Sequence, residues 1–105
     1  MRSVALAALA LPAVAWGQPL MRYNAVVESS YLLDRCGELT PARRAWLEKL
    51  TRLAQRSLDY SAEQWAAHDA ALAADLARLY PSVPKERCEE LVRNIDQEMA
   101  DAQAK

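Results

Sequence analysis

Two cysteines, Cys36 and Cys88, are the residues with the most clearly defined chemistry in this chain. Two thiols can form a structural disulfide, act as a redox couple or bind a metal ion as thiolates. Redox couples usually have the Cys-x-x-Cys spacing, and a structural zinc ion takes four protein ligands, so this pair fits neither use. The sequence therefore predicts a single intramolecular disulfide, provided that the chain reaches an oxidising compartment.

The only histidine, His68, stands next to Asp69, and a histidine oriented by a carboxylate is a common general base. Neighbouring residues of a helix do not face each other, so these two side chains cannot form that pair between themselves. The chain has no second histidine and no suitably placed nucleophile to complete a triad. We therefore predict no catalytic residues, with His68 at the edge of an apolar face and Asp69 bonded to a neighbouring helix, for example to an arginine.

Haem is the cofactor that a small helical bundle could most simply hold. The chain lacks the Cys-x-x-Cys-His motif of covalent attachment, which leaves His68 with Met99 or Met21 as axial ligands. A methionine on an apolar stripe usually belongs to the core. The acidic residues of the last helix lack the Asp-x-Asp-x-Asp-Gly order of a calcium loop. We predict no cofactor and no metal site, with a ligand site at His68 and Met99 as the alternative.

A protein-binding surface is suggested by three large side chains. Tyr31 and Leu32 fall on the side of the first predicted helix away from its apolar stripe, and Tyr60 lies at the corner between the second and third helices. Exposed aromatic and aliphatic groups at one place mark a partner surface. The alternative is that the first helix is buried on two sides by its neighbours.

The fold class follows from the spacing of the apolar residues. They recur at the i, i+3, i+4, i+7 positions of a helix in four segments, and no segment alternates like a strand. The predicted helices span residues 21–36, 41–58, 62–80 and 84–102. Their boundaries carry capping signals: Gly37 after the first helix, Thr40-Pro41 before the second, and a Ser61–Gln64 capping box before the third.

Short links between four helices favour antiparallel neighbours. In that arrangement the end of the first helix and the first turn of the last helix lie at the same end, where Cys36 and Cys88 are placed. The sequence therefore predicts an all-α fold, either a small four-helix bundle or a more splayed array, closed by one disulfide. A chain this short buries only about 60–65% of its unfolded surface, so such a covalent constraint is expected.

The first 17 residues have the pattern of a secretory signal peptide. Arg2 precedes an apolar run from Val4 to Ala15, and Ala15-Trp16-Gly17 supplies small residues for cleavage before Gln18. The run is shorter than the ~20 apolar residues that span a membrane, so no stable membrane insertion is expected after cleavage. We predict a signal peptide over 1–17 and a single helical domain over 18–105, in the periplasm or exterior of a bacterium. An uncleaved helix packed in the fold is the alternative.

Charge narrows the classes of partner. The chain has 13 basic and 14 acidic residues, interspersed, with a net charge of −1. Neither nucleic acid nor an anionic membrane surface is favoured by that distribution. The function expected is therefore binding of an unidentified protein partner, as an inhibitor, immunity factor, chaperone or assembly accessory. A small-ligand, haem or metal carrier that uses the bundle interior is the second hypothesis, and an enzyme that uses His68 is the third.

Overall fold

The computed structural model describes the backbone of residues 2–105 and the side chains of residues 19–105. Within that part of the chain the structure has four helices and no strand: α1 (Arg2–Cys36), α2 (Pro41–Arg56), α3 (Ala62–Leu79) and α4 (Lys85–Ala104). The predicted all-α class is confirmed. The predicted signal peptide, residues 1–17, lies outside the residues whose side chains are described and stays a prediction. No helix in the described residues has an apolar stretch long enough to cross a bilayer.

The turn between α1 and α2 is set by Gly37, whose φ of 72° is the left-handed conformation that glycine adopts without strain. The Gly37 amide donates to the carbonyl of Asp34, and the Glu38 amide donates to the carbonyl of Leu33 at 2.8 Å. This pair of bonds is a Schellman motif, which satisfies the last carbonyls of a helix. The predicted left-handed cap is therefore confirmed.

The starts of α2 and α3 are fixed by side chains. The Thr40 hydroxyl accepts a bond from the backbone N–H of Arg43, and Pro41 occupies the first turn. At α3 the Ser61 hydroxyl accepts from the Gln64 amide while the Gln64 side chain accepts from the Ser61 amide, at 3.1 and 2.7 Å. That reciprocal pair is the predicted capping box.

The helices alternate in direction around α1. Cys88, at the start of α4, is bonded to the end of α1, whereas Glu98, near the other end of α4, lines a groove with Arg22. α2 returns along α1 from the Gly37 turn. α3 runs in the direction of α1, because Asp69 bonds Tyr23 and the later carbonyl of Pro81 bonds Arg35. The result is the predicted up-down-up-down order, arranged with α1 in the centre.

The hydrophobic core lies where α1, α2 and α4 meet. The buried residues of this cluster come from those three helices alone: Val26, Leu32, Leu33, Leu47, Leu91 and Ile95. Of the described helices, α3 approaches closely only α1, and the one residue that it buries is Leu76. The domain is therefore a three-helix core with a fourth helix packed beside it, the splayed form of the predicted array.

The interpretation of Leu32 as part of an exposed partner surface is wrong. Leu32 is 1% exposed and Leu33, its neighbour, is 0% exposed. A helix in the centre of the domain is covered on more than one side, so adjacent residues that point in different directions can both be buried. Tyr31 is half-buried against the same core, with the Arg35 guanidinium 5.9 Å from its ring centroid.

The predicted disulfide is confirmed, and it joins the last residue of α1 to the first turn of α4, with the two Cα atoms 5.9 Å apart. A second tie between helices lies nearby. Arg43 forms a forked pair with Asp96 of α4, with Nε to Oδ1 and Nη2 to Oδ2 both at 2.9 Å, and its remaining nitrogen bonds the carbonyl and carboxylate of Glu38. Arg43 therefore links the α1–α2 turn to the middle of α4.

Replacing both cysteines, Cys36→Ser with Cys88→Ser, should lower the free energy of unfolding by about 2–4 kcal/mol, because the open chain regains the entropy that the closed loop removes. Urea unfolding followed by circular dichroism measures the change. A reduced wild-type protein should match the double variant. Equal stability of oxidised and reduced proteins would show that the bond does not constrain the unfolded chain.

The Arg43–Asp96 pair should show a coupling energy of about 0.5–1 kcal/mol in a double-mutant cycle with Arg43→Met and Asp96→Asn. The hydrogen bond to Arg43 lowers the pKa of Asp96. The contribution is thus present above the unfolded pKa and is lost as the pH falls through the lowered folded pKa. Arg87 and Glu90, an exposed pair within α4, are the control and should couple by only a few tenths of a kcal/mol. Equal coupling of the two pairs would contradict the special role of Arg43.

Candidate functional site

The contact between α1 and α3 is built around a buried tyrosine. Tyr23 is 3% exposed, and its hydroxyl donates a hydrogen bond to Oδ1 of Asp69 at 2.5 Å. Its ring lies 4.5 Å, centroid to centroid, from the indole of Trp65, tilted by 47°. Asp69 is therefore bonded to a neighbouring helix as expected, but its partner is a phenol rather than an arginine.

His68 and Tyr60 lie in the same aromatic cluster. The Nε2 atom of His68 is 2.7 Å from Oδ1 of Asn24, so in this arrangement Nε2 carries the proton and donates it to the amide oxygen. The imidazole meets the Trp65 indole edge-on, with the ring centroids 6.1 Å apart, and the centroid of the Tyr60 ring lies 4.8 Å from that of the same indole. Both His68 and Tyr60 are half-buried. His68 thus helps to fix α3 on α1, and Tyr60 packs against the first turn of α3.

The structure does not bring His68 and Met99 together. Met99 packs against the three-helix core and lines a groove with Trp46 and Lys49 between α2 and α4. His68 makes its contacts with α1 and Trp65. Among the described helices α3 and α4 do not approach each other closely. The two side chains therefore belong to separate parts of the domain.

The environment of Tyr23 changes its acidity. Burial raises the pKa of the phenol to about 12, and the hydrogen bond to Asp69 and the negative charge of that carboxylate act in the same direction. The Gln55 side chain acts the other way and lowers it. Tyr23 is thus a neutral hydrogen-bond donor at physiological pH. Its hydroxyl group satisfies one oxygen of the Asp69 carboxylate.

A second feature is an apolar groove over α1, between α2 and α4. Its floor is formed by buried side chains of all three helices, and its volume is about 310 Å³. The lining residues are Arg22, Ala25, Val26, Ser29, Leu47, Leu50, Ile95 and Glu98. Arg22 and Glu98 are exposed, so the groove has one charge of each sign at its rim.

Two exposed apolar side chains lie about one helical turn beyond residues that line this groove. Met21 is 66% exposed and precedes the lining residue Ala25 by one helical turn, on the same face of α1. Leu53 is 45% exposed and follows the lining residue Leu50 on α2. Because α2 runs antiparallel to α1, both positions extend the groove toward the same end.

Sequence reasoning missed this surface. The helical repeat of apolar residues would place Leu53 on the core-facing stripe of α2, and Met21 stands out in the sequence only as a candidate haem ligand. The repeat of apolar residues along α2 does not show where α4 stops covering the stripe, because that depends on the angle between helices. The exposed Met21 is signalled only by its position one turn before Ala25 on the α1 face.

No metal site is formed in the described residues, where no three His, Cys, Asp or Glu side chains cluster. No protein-family model, curated protein or solved structure matches this chain. The function therefore rests on the residues and geometry given above.

The raised pKa of Tyr23 has a consequence for stability. The folded protein holds the Tyr23 proton up to about pH 12 while the unfolded chain releases it near pH 10, so stability falls as the pH rises through that interval. Urea unfolding at pH 9 and pH 11 should show this loss, and it should be smaller in Tyr23→Phe. The pKa of Tyr80 is also raised, by a hydrogen bond to Glu28. Because Tyr80 is present in both proteins, its contribution to the loss of stability is the same in the wild type and in the variant. The same loss in both proteins would contradict the assignment.

Proposed function

We propose that this protein acts by binding another protein in an exported compartment, and that the groove between α2 and α4 is the contact surface. The single observation that supports this proposal is the pair of exposed side chains, Met21 and Leu53, about one helical turn beyond the lining of an apolar groove. Of the three large apolar side chains that are exposed among the described residues, these two extend one surface. Contiguous apolar surface of this kind marks sites of protein contact.

The shape of the groove favours an amphipathic helix as the bound segment. Its walls are two helices that run in the same direction along α1, and a third helix laid between them would place apolar side chains over Val26, Leu50 and Ile95. That is the helix-in-groove mode, in which side chains at i, i+3 and i+4 supply the anchors. The volume of about 310 Å³ is at the lower end of small-molecule pockets, about 300–1,000 Å³, and suits a few side chains better than a large cofactor.

The rim charges add a requirement for the partner. Arg22 is on α1 and Glu98 is on α4, so they flank the groove from different helices. A helix that carries an acidic residue near Arg22 and a basic residue near Glu98 would be oriented by them. Rim charges of this kind set the rate and direction of association more than its affinity.

The exported location is part of the same proposal. A disulfide between Cys36 and Cys88 requires an environment that does not reduce it, as outside the cytosol. The signal-peptide pattern of residues 1–17 supports the same location. The carrier hypothesis gains no comparable support, because His68 and Met99 lie in separate parts of the domain.

A photo-crosslinking amino acid at position 21 tests the contact directly in the exported fraction of the native host. We expect an adduct with one other protein, and mass spectrometry of the crosslinked peptide should place the contact on an amphipathic helix of that partner. Leu53→Glu should weaken binding of that partner at least about tenfold, because a charge would be desolvated at the mouth of the groove. A control is Leu79→Glu, which changes a leucine on α3 that is also exposed, at 61% against 45% for Leu53, and should leave binding unchanged.

Circular dichroism and a thermal melt should show that both glutamate variants remain folded, because both leucines are exposed. The proposal fails if position 21 gives no adduct, or if Leu53→Glu and Leu79→Glu have the same effect. An adduct of twice the mass of this chain would also overturn it, because the groove would then be a contact between copies.

A further inference from the structure

The position of α3 in the domain differs from that of every other described helix. None of its residues belongs to the buried cluster where α1, α2 and α4 meet, and its only close neighbour among the described helices is α1. α2 and α4, by contrast, contact each other as well as α1. The removal of α3 would therefore leave the three-helix core with all of its own contacts.

The contacts that hold α3 are mainly polar and aromatic. Asp69 accepts from Tyr23, and His68 donates to Asn24. Beyond the helix, the Tyr80 hydroxyl donates to Glu28 at 3.0 Å, and the Pro81 carbonyl accepts from Arg35. Water replaces such bonds when two helices separate, so each adds much less net stability than its strength in isolation. Leu76 is the one residue that α3 itself buries.

The ends of the α3 segment stay fixed independently of α3. On one side α2 is packed in the core through Leu47, and on the other side Val83 packs against the core ahead of Cys88. The disulfide holds the first turn of α4 on the end of α1, whatever the position of α3. A segment anchored at both ends can leave its docking surface without unfolding the rest of the domain.

We propose that α3 is a lid on α1 that opens as one cooperative unit while α1, α2 and α4 stay folded. Opening exposes Tyr23, which is otherwise 3% exposed, together with the covered face of the Trp65 indole. Aromatic side chains of this kind are enriched at protein interfaces. The domain thus has an aromatic surface that is available only in the open state, separate from the groove between α2 and α4, and this inference does not depend on that groove.

Hydrogen exchange of the oxidised full chain, followed by mass spectrometry, tests the lid. A single helix in water frays, so amides of an undocked α3 exchange. In the regime where exchange reports the opening equilibrium, α3 amides should exchange at least about tenfold faster than the protected amides of α2 and α4, with a weaker dependence on urea. Equal rates and equal urea dependence in all three helices would overturn the proposal, because opening would then be global.

A pair of carboxylate variants on α3 makes the test specific. Asp69→Ala removes the bond to Tyr23 and should speed exchange of α3 amides about tenfold while leaving α2 and α4 unchanged. Asp75→Ala is the control, because among the described residues Asp75 bonds Arg78 of its own helix, and it should not change the docking equilibrium. The lid is overturned if Asp69→Ala speeds exchange equally in all helices, or if the two variants have the same effect on α3.

Discussion

The central position of α1 is the constraint on which the rest of the domain depends. Each of the other three helices packs on it, and α1 buries residues that point in different directions, such as Leu32 and Leu33. A small chain has few apolar residues, and placing one helix among three neighbours lets that helix use more than one face. The cost is that α2, α3 and α4 each cover α1 with one stripe and leave their outer faces to water.

The two sets of contacts around α1 differ in chemistry. Where α2 and α4 meet it, the contacts are aliphatic and are reinforced by a disulfide and by the fork of Arg43 on Asp96. Where α3 meets it, the contacts are made by Tyr23 and its polar and aromatic neighbours. Aliphatic burial is non-directional and tolerates adjustment, whereas hydrogen-bonded contacts hold in one geometry and are replaced by water in another. The contacts of α1 with α2 and α4 are therefore of a kind that keeps these helices together, whereas the contacts of α1 with α3 are of a kind that water can replace.

Features controlled by local chemistry could be predicted from the sequence. Gly37 ends a helix because of its own backbone freedom, and the Ser61–Gln64 box needs only residues three positions apart. The disulfide followed from the presence of two cysteines in a chain with a predicted export signal, and the up-down order of the helices placed both cysteines at the same end. The exposure of Leu53 and the burial of Leu32 could not be predicted in the same way, because each depends on the position of a neighbouring helix. The same holds for the Tyr23–Asp69 bond, which joins residues 46 positions apart.

The spacing of the two cysteines also has a consequence for how the chain is made. Cys36 and Cys88 are separated by 52 positions in the sequence. Because the chain is made from its N-terminus, Cys36 has no partner within its own chain until the start of α4 has been synthesised. During that interval the Cys36 thiol, at the end of α1, can form mixed disulfides with other molecules by thiol–disulfide exchange. Formation of the Cys36–Cys88 bond thus depends on two rates, the rate at which Cys88 is synthesised and the rate at which Cys36 reacts with other molecules.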